Sequence, residues 1–429
     1  MRVFVKSFGC STNLAEGEVL AGCLAEAGYE IVDSVSAADL IIYNTCAVKG
    51  PTENRMIELL KRVPPNKKLV VAGCLPLINY ERLCGETRFD GVVGPAVGER
   101  IVEVVKRVFE GEKVVALEGT ANAKPSLDLP RLPLNPVISV IPINYGCLGA
   151  CAYCCVVFAR GRLRSYTIEE IVEKMKGDLE KGVKEFWITS QDTACYGRDL
   201  GTNLAELLNA ICNIEGDFRV RVGMMTPNMV TDMLEELIQA FKSEKIFKFI
   251  HLPVQSGNDQ TLKRMHRFYS IRDFKRIVDT FRKAFPEITI ATDIICGFPG
   301  EDEKAFEETL QLIEEVKPDI VNVSKFFARP GTAAAKMKED FVPLQEIKRR
   351  SVLASNLARK IALEKSRSWV GWSGEILVDE VGKTLGSWVG RNFAYKPVAI
   401  KSAENLLGKT LHVKVTKAFS TYLEGEIIK

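Results

Sequence analysis

Tyr145–Cys155, YGCLGACAYCC, places Cys147, Cys151, Cys154 and Cys155 within nine residues, spaced mostly by glycine and alanine. Thiols this dense are rarely core filler. They suit a zinc knuckle, a disulfide knot or a cage for another metal group. Twelve cysteines and only three histidines in 429 residues point to thiolate chemistry rather than a histidine-rich site. A reducing compartment disfavours the knot. Structural zinc takes four closed ligands, often as two separated pairs. The spacing Cys-x3-Cys-x2-Cys instead fits one face of a four-iron, four-sulfur cluster: three thiolates hold three irons and the fourth iron stays open to a small chelating ligand.

The surroundings of that stretch set the fold expectation. Strands are predicted at Ile138–Ile143, Glu185–Thr189, Arg219–Gly223, Phe247–Pro253, Ile288–Ile294 and Ile320–Phe326, with helical segments between them. Six strand–helix units predict a parallel sheet curling into a partial barrel, open on one side, with chemistry at the strands' carboxyl ends. The cysteine loop follows the first of these strands.

Upstream, Val3–Phe8, Asp39–Asn44, Lys68–Ala72 and Gly91–Gly94 read as buried parallel strands of a doubly wound α/β domain, with helices at Glu16–Ala27 and Glu53–Arg62. Cys10, Cys46 and Cys74 each end one of the first three strands, beside Gly9, Asn13, Asn44 and Gly73. Buried cysteine is common in cores, but three at one topological position predict a shared crevice and a second cluster site. Downstream, the basic helical stretch Gln345–Trp369 leads to five short strands that predict a small closed barrel. The expected organisation is an N-terminal domain over 1–118, a linker over 119–136, the partial barrel and following helix over 137–368, and the small β-barrel over 369–429.

The composition is that of an ordinary globular protein, with 46% hydrophobic and 26% charged residues and a net charge of +3. Apolar runs such as Val137–Ile143 are far too short to span a bilayer, and the first residues alternate like a strand. A cytoplasmic protein with no membrane partner is expected.

The cysteine spacing after the first strand of a six-fold βα repeat resembles the radical S-adenosylmethionine (SAM) superfamily. With the three N-terminal cysteines and the terminal barrel, the chain is similar to the methylthiotransferase family from end to end. Further matching stretches are ARGRLRSY (Ala159–Tyr166), TSQDTACYGRDLG (Thr189–Gly201), HLPVQSGND (His251–Asp259), TDIICGFPGE (Thr292–Glu301) and ARPGTAA (Ala328–Ala334). The resemblance implies a radical-site four-iron, four-sulfur cluster on Cys147, Cys151 and Cys154, and an auxiliary one on Cys10, Cys46 and Cys74. It further implies SAM as cofactor, external electron and sulfur donors, and a terminal TRAM barrel that grips substrate. Family members place an aromatic near the adenine at the position of Tyr153 and contact SAM at positions matching Ser190, Gln191 and Asp192. Asp293, ending the fifth strand before the Gly297–Gly300 turn, and Gln255 and Ser256, following the fourth, are further SAM-pocket candidates by position. For Asp192 a capping role competes.

The FARGRLRSY and SQDTACYGRDLG stretches resemble the archaeal and eukaryotic-type branch, which acts on N6-threonylcarbamoyladenosine at tRNA position 37 and adds a methylthio group at adenine C2. Alternatives are a branch acting on isopentenyl-adenosine in tRNA or on a ribosomal-protein aspartate, and, in another class, an electron carrier or tRNA-binding factor without radical chemistry. Arg160, Arg162, Arg164 and Arg329 are candidates for clamping substrate phosphate or carboxylate. Trp388 and Phe393 are candidate RNA contacts, and Lys348, Arg349 and Arg350 either meet RNA or solvate a helix face. Cys155 is expected to point into the barrel as a small apolar residue, and Cys195 to pack. In the N-terminal motif Glu16–Gly17 replaces the family's acidic–serine pair.

Overall fold

Strand by strand, the apolar runs of the sequence become three sheet systems. The structure is a computed structural model and describes residues 1–428. The first six strands are β1 (Arg2–Ser7), β2 (Glu30–Val32), β3 (Leu40–Thr45), β4 (Lys68–Gly73), β5 (Gly91–Val93) and β6 (Val114–Ala116). They form one parallel sheet in the order β2-β1-β3-β4-β5-β6. The short strands β2 and β6 carry too few apolar residues to show in the sequence. Both are edge strands, so β1, β3 and β4 remain adjacent as the cysteine pattern requires. Strand β3 is buried throughout because it is covered on both faces: Leu40 and Ile42 pack toward Leu20, Leu24 and Val105, while Ile41 and Tyr43 pack toward Met56, Ile57 and Leu60.

The central arc is built from β7 (Ile138–Pro142), a two-residue ladder of β8 (Asn144–Tyr145) with β9 (Arg164–Ser165), β10 (Glu185–Thr189), β11 (Arg219–Val222), β12 (Phe249–His251), β13 (Thr289–Cys296) and β14 (Ile320–Lys325). The orders β11-β10-β7 and β12-β13-β14 are joined by a parallel bridge between Val220 and Ile246. All six predicted strands are present, and the arc is a partial barrel. Its helices bury one apolar stripe each. Helix Ile271–Ala284, started by a Ser270–Asp273 capping box, buries Phe274, Ile277, Val278 and Phe281.

Strands β15 (Ser373–Val381), β16 (Ser387–Arg391), β17 (Pro397–Lys401), β18 (Thr410–Ala418) and β19 (Leu423–Ile427) close a barrel in the order β15-β16-β17-β19-β18. Only β17 and β19 pair in parallel. The long helix Leu344–Arg367 precedes it, and its basic run divides. Arg350 is buried against Glu301 at 2.8 Å and pins the helix to the partial barrel. Arg349 pairs with Glu303 and Glu346 at 2.6 Å but stays exposed, and Lys348 is exposed with no ion pair among the described residues. Phe393 packs on Trp369 and Trp372 at ring separations of 5.8 and 6.3 Å yet stays 39% exposed, while Trp388 is half-buried with its Nε1 donating to the Ser402 carbonyl.

The segment 119–136 strings across the molecule rather than hanging free. Leu127 is buried, Leu132 and Leu134 donate to Glu18, and Asn135 donates to the Asp379 carbonyl at 2.8 Å. No helix among the described residues is long and apolar enough to cross a membrane.

At the seam between arc and small barrel, Glu185 and Asp379 are fully buried, and Oε2 of Glu185 and Oδ1 of Asp379 lack partners among the described residues. Burial, then the Asp379 charge, pushes the Glu185 carboxyl from 4.5 up to about 8. A carboxyl that binds its proton more tightly when folded stabilises the fold fully below 4.5 and loses that contribution as pH rises toward 8. Glu185→Gln keeps an acceptor for Trp187 Nε1. It is expected to flatten the fall in Tm between pH 4.5 and 8 and to raise Tm at the upper end by about 2 °C or more; thermal unfolding of both proteins across that range checks it.

Candidate functional site

The radical-site cysteines are placed by backbone geometry that only glycine permits. Gly146 turns the chain out of β8 with φ +76°, and a Cβ there would lie 2.0 Å from the Arg162 carbonyl. Its N–H donates to Gln191 Oε1 at 2.8 Å, so the loop after β10 braces the loop after β7. Beyond it, Ala152 N–H donates to the Met265 carbonyl and Ala334 N–H to the Ala152 carbonyl. Cys147, Cys151 and Cys154 therefore sit in a loop fastened on three sides.

Their sulfurs face one space. A Cβ on Gly149 would lie 3.3 Å from Cys147 Sγ and 3.7 Å from Cys151 Sγ, so the two sulfurs flank this glycine closely. Gly149 N–H donates to Cys147 Sγ at 3.2 Å and Arg267 Nη1 to Cys151 Sγ at 3.4 Å. Donors aimed at sulfur favour thiolates, the form that binds iron. Burial, then the neighbouring Cys151 thiol, pushes Cys154 up to about 12 in the metal-free chain. A cation is what would bring it down again, so the set fits an iron cluster.

Arg267 was not legible in the sequence. It is 7% exposed, and its other nitrogens reach Tyr269 Oη at 3.0 Å and the Pro253 carbonyl at 2.7 Å. Cys195 was expected to pack, and it is fully buried, but its sulfur, Cys147 Sγ and a carboxylate oxygen of Asp192 all lie within 4.8 Å of one another.

The second set follows β1, β3 and β4. Cys10 precedes helix Ser11–Glu26, Cys46 directly follows β3, and Cys74 directly follows β4. Gly73, at φ +92°, turns Cys74 inward, and a Cβ there would meet the Thr45 carbonyl at 2.4 Å. Beneath the thiols, Asn13 and Asn44 are 1% exposed and knit the strand ends together. Asn13 Nδ2 donates to Asn44 Oδ1 at 2.8 Å, Asn44 Nδ2 to the Asn13 carbonyl at 2.7 Å, and Gly9 N–H to Asn13 Oδ1 at 2.8 Å. Burial raises the Cys74 thiol to about 12, with Cys10 and Cys46 adding to the effect. Three mutually interacting thiols with a nearby guanidinium suit a second thiolate-held cluster.

That guanidinium is Arg160, and it corrects an expectation. Arg160 is 2% exposed and forms a two-pronged ion pair with Glu16 at 2.7 and 2.9 Å. It is an internal strut between the arc and the N-terminal domain, and not a phosphate clamp. Its partner Glu16 keeps the acidic position of the family's acidic–serine pair, while Gly17 replaces the serine. Arg329 is likewise buried, on Glu53, which Arg82 also holds at 2.8 Å. Arg164 donates to the carbonyls of Ala121, Ala123, Arg160 and Arg162 and stitches its own loop. Of the four arginines only Arg162 is exposed. Cys155 is corrected too: it is 1% exposed but packs among Met56, Leu75 and Ala159 in the N-terminal domain's core, its thiol 3.9 Å from the Ala47 carbonyl.

A cavity of about 820 Å³ runs along the open side of the arc beside the radical-site loop. Tyr153, Cys154, Gln255 and Asp293 line it, with Val48 and Lys49 from the N-terminal domain and Tyr422 from the small barrel. Asp293 accepts from His251 Nε2 at 3.0 Å and from Asn322 Nδ2 at 2.7 Å. Burial works against its charge, but the His251 and Asn322 contacts and Lys49 keep the carboxyl below its ordinary value. Gln255 holds φ +70°, with its N–H on the Asp293 carbonyl at 2.7 Å. Asp192 is placed otherwise: buried at 2%, it accepts from Ala194 N–H at 3.1 Å and Thr226 N–H at 3.0 Å, which is the capping role. Ser190 Oγ accepts from Asp192 N–H at 3.1 Å in the same turn. Tyr153, Gln255 and Asp293 thus share the cavity, while Ser190, Gln191 and Asp192 support the loops around it.

Family models match residues 2–94 (uncharacterized protein family UPF0004), 141–313 (Radical SAM superfamily) and 367–428 (TRAM domain). The chain is 41% identical to a probable threonylcarbamoyladenosine tRNA methylthiotransferase of Pyrococcus horikoshii, covering 100% of both chains. It is 38% identical to the threonylcarbamoyladenosine tRNA methylthiotransferase of Homo sapiens over 99% of this chain and 74% of the human one. Among solved structures, a radical S-adenosylmethionine methyltransferase from Kitasatospora setae shares the fold, with a TM-score of 0.55 at 15% identity over 78% of this chain and 75% of that one. The chain belongs to the radical SAM superfamily and, within it, to the threonylcarbamoyladenosine tRNA methylthiotransferase family.

Proposed function

We propose that this chain adds a methylthio group to adenine C2 of N6-threonylcarbamoyladenosine at tRNA position 37. The observation that carries this reading is the cavity beside the radical-site loop: Cys154 lies in its wall, and Val48 and Lys49, two and three residues after Cys46, bring the N-terminal domain to it. Cys147, Cys151 and Cys154 would hold a radical-site four-iron, four-sulfur cluster with one iron open, and Cys10, Cys46 and Cys74 an auxiliary one. When bound, these groups and SAM supply a carbon-centred radical and the sulfur to be methylated and inserted. The electron and the sulfur come from external donors.

The chain's own residues position these parts. Gly149 and Arg267 stabilise thiolates by donating to sulfur, and Gln191 holds the loop. Asp293, kept ionised by His251 and Asn322, offers a carboxylate to the hydroxyls or amino group of SAM beside Tyr153. The two buried pairs Arg160–Glu16 and Arg329–Glu53 tie the arc to the N-terminal domain and hold the two thiol sets at a constant separation. Truncating one partner of such a pair leaves an uncompensated buried charge, which gives the junction its rigidity. The small barrel and the exposed Arg162 receive the RNA.

Nucleoside digests of tRNA from a strain lacking the gene test the reading. The methylthio derivative of threonylcarbamoyladenosine is expected to disappear and to return when this chain is supplied. Unchanged tRNA nucleosides, with a ribosomal protein losing a methylthio group, would favour the protein-modifying alternative.

A further inference from the structure

Five cations line the cavity beside the radical-site loop: Lys49, Lys325, Arg329, Arg359 and Lys396. Two are already neutralised, Arg329 by the buried Glu53 and Lys396 by Asp319 at 2.6 Å. Lys49, Lys325 and Arg359 are exposed and make no ion pair among the described residues. Lys49 differs from the others in its position. It lies on the segment that leaves β3 through Cys46, three residues further on, and it faces Asp293 across the cavity closely enough to help keep that carboxyl charged. The segment itself is held rigidly. Gly50 approaches the Phe327 ring so closely that a Cβ there would lie 2.7 Å from it, and Pro51 opens the helix Gly50–Lys61. A lysine at the cavity wall, anchored beside Gly50 and making no ion pair among the described residues, is suited to receive a carboxylate from a ligand.

The substrate named above brings such an anion. Threonylcarbamoyl is carried on N6, and only N1 separates the carbon bearing it from C2. The threonyl carboxylate and the reacting carbon therefore lie along one edge of the base. A carboxylate held by Lys49 would place that edge against the wall supplied by the segment after Cys46. We propose that Lys49 binds the threonyl carboxylate of the modified adenosine and so selects this nucleoside over neutral N6-substituted adenosines. The assignment rests on the function proposed above. It adds a residue that tells a carboxylate-bearing base from one with an apolar N6 group, since a site built to pair a charge discriminates strongly against a partner lacking it.

The test uses the full, cluster-loaded chain and two anticodon stem-loops, one bearing N6-threonylcarbamoyladenosine and one bearing its threonine methyl ester. The parent is expected to methylthiolate the acid with a kcat/KM about 10- to 100-fold above that for the ester. Lys49→Gln is expected to lose that advantage by slowing on the acid alone, and Lys49→Arg to restore part of it. Equal losses on both stem-loops would show a phosphate or folding role and overturn the assignment. A preference kept in Lys49→Gln but lost in Lys325→Gln would overturn it too. Absence of product from both stem-loops with the parent chain would overturn the proposed function, and the assignment with it.

Discussion

Cys151→Ala is expected to abolish reductive cleavage of SAM and to lower iron from about eight to about four per chain. The reason is local. Cys151 is one of three thiols in a loop fastened by Gln191, Met265 and Ala334, and two thiols in that loop leave an iron of the cluster without a ligand. Its sulfur also accepts from the buried Arg267, whose guanidinium would then face an empty space. The N-terminal thiols are on a separate sheet and are expected to keep their iron. Anaerobic reconstitution, iron assay and detection of 5′-deoxyadenosine after reduction measure both effects. Full cleavage by the variant would mean that another thiol, Cys155 or Cys195, had been the third ligand. The structure argues against Cys155, because its thiol is turned into the N-terminal core.

Cys74→Ala separates the two halves of the chemistry. Cys74 is the most buried of the N-terminal thiols and lies beside Arg160, which is already committed to Glu16. Removing it leaves only Cys10 and Cys46, which are too few thiolates to hold the cluster, so the auxiliary iron is expected to be lost. The radical-site loop, braced from the arc, is expected to keep its iron and to cleave SAM. Methylthio product should fall by more than about 100-fold, exceeding the usual cost of losing a residue that merely orients a ligand. Product and 5′-deoxyadenosine quantified in one reaction give the ratio. A variant that cleaved SAM and still inserted sulfur at the parent rate would show that the auxiliary site lies elsewhere.

Much of this was readable from residue order alone. Apolar runs of five or six residues bounded by turns gave the six strands of the arc and four of the N-terminal strands, because burial on both faces leaves a continuous signal. The short edge strands Glu30–Val32 and Val114–Ala116 have no such run and were missed. Cysteine positions at strand ends were likewise legible, since topology brings the carboxyl ends of adjacent parallel strands together. Arginines were not. Arg160 and Arg329 looked like phosphate clamps beside the cysteine loop, yet their partners Glu16 and Glu53 are 144 and 276 residues away in the chain. An ion pair across a domain junction has no local signature. Arg267 was hidden for the same reason: its role depends on a loop after β12 folding back over Cys151.

The most direct test of the account is to mix the purified, iron-loaded chain with SAM, a reductant, a sulfide source and a stem-loop bearing N6-threonylcarbamoyladenosine, and to analyse the nucleosides by mass spectrometry. The account predicts the 2-methylthio nucleoside together with 5′-deoxyadenosine. Abundant 5′-deoxyadenosine with an unchanged nucleoside, in a chain carrying both clusters, would contradict it.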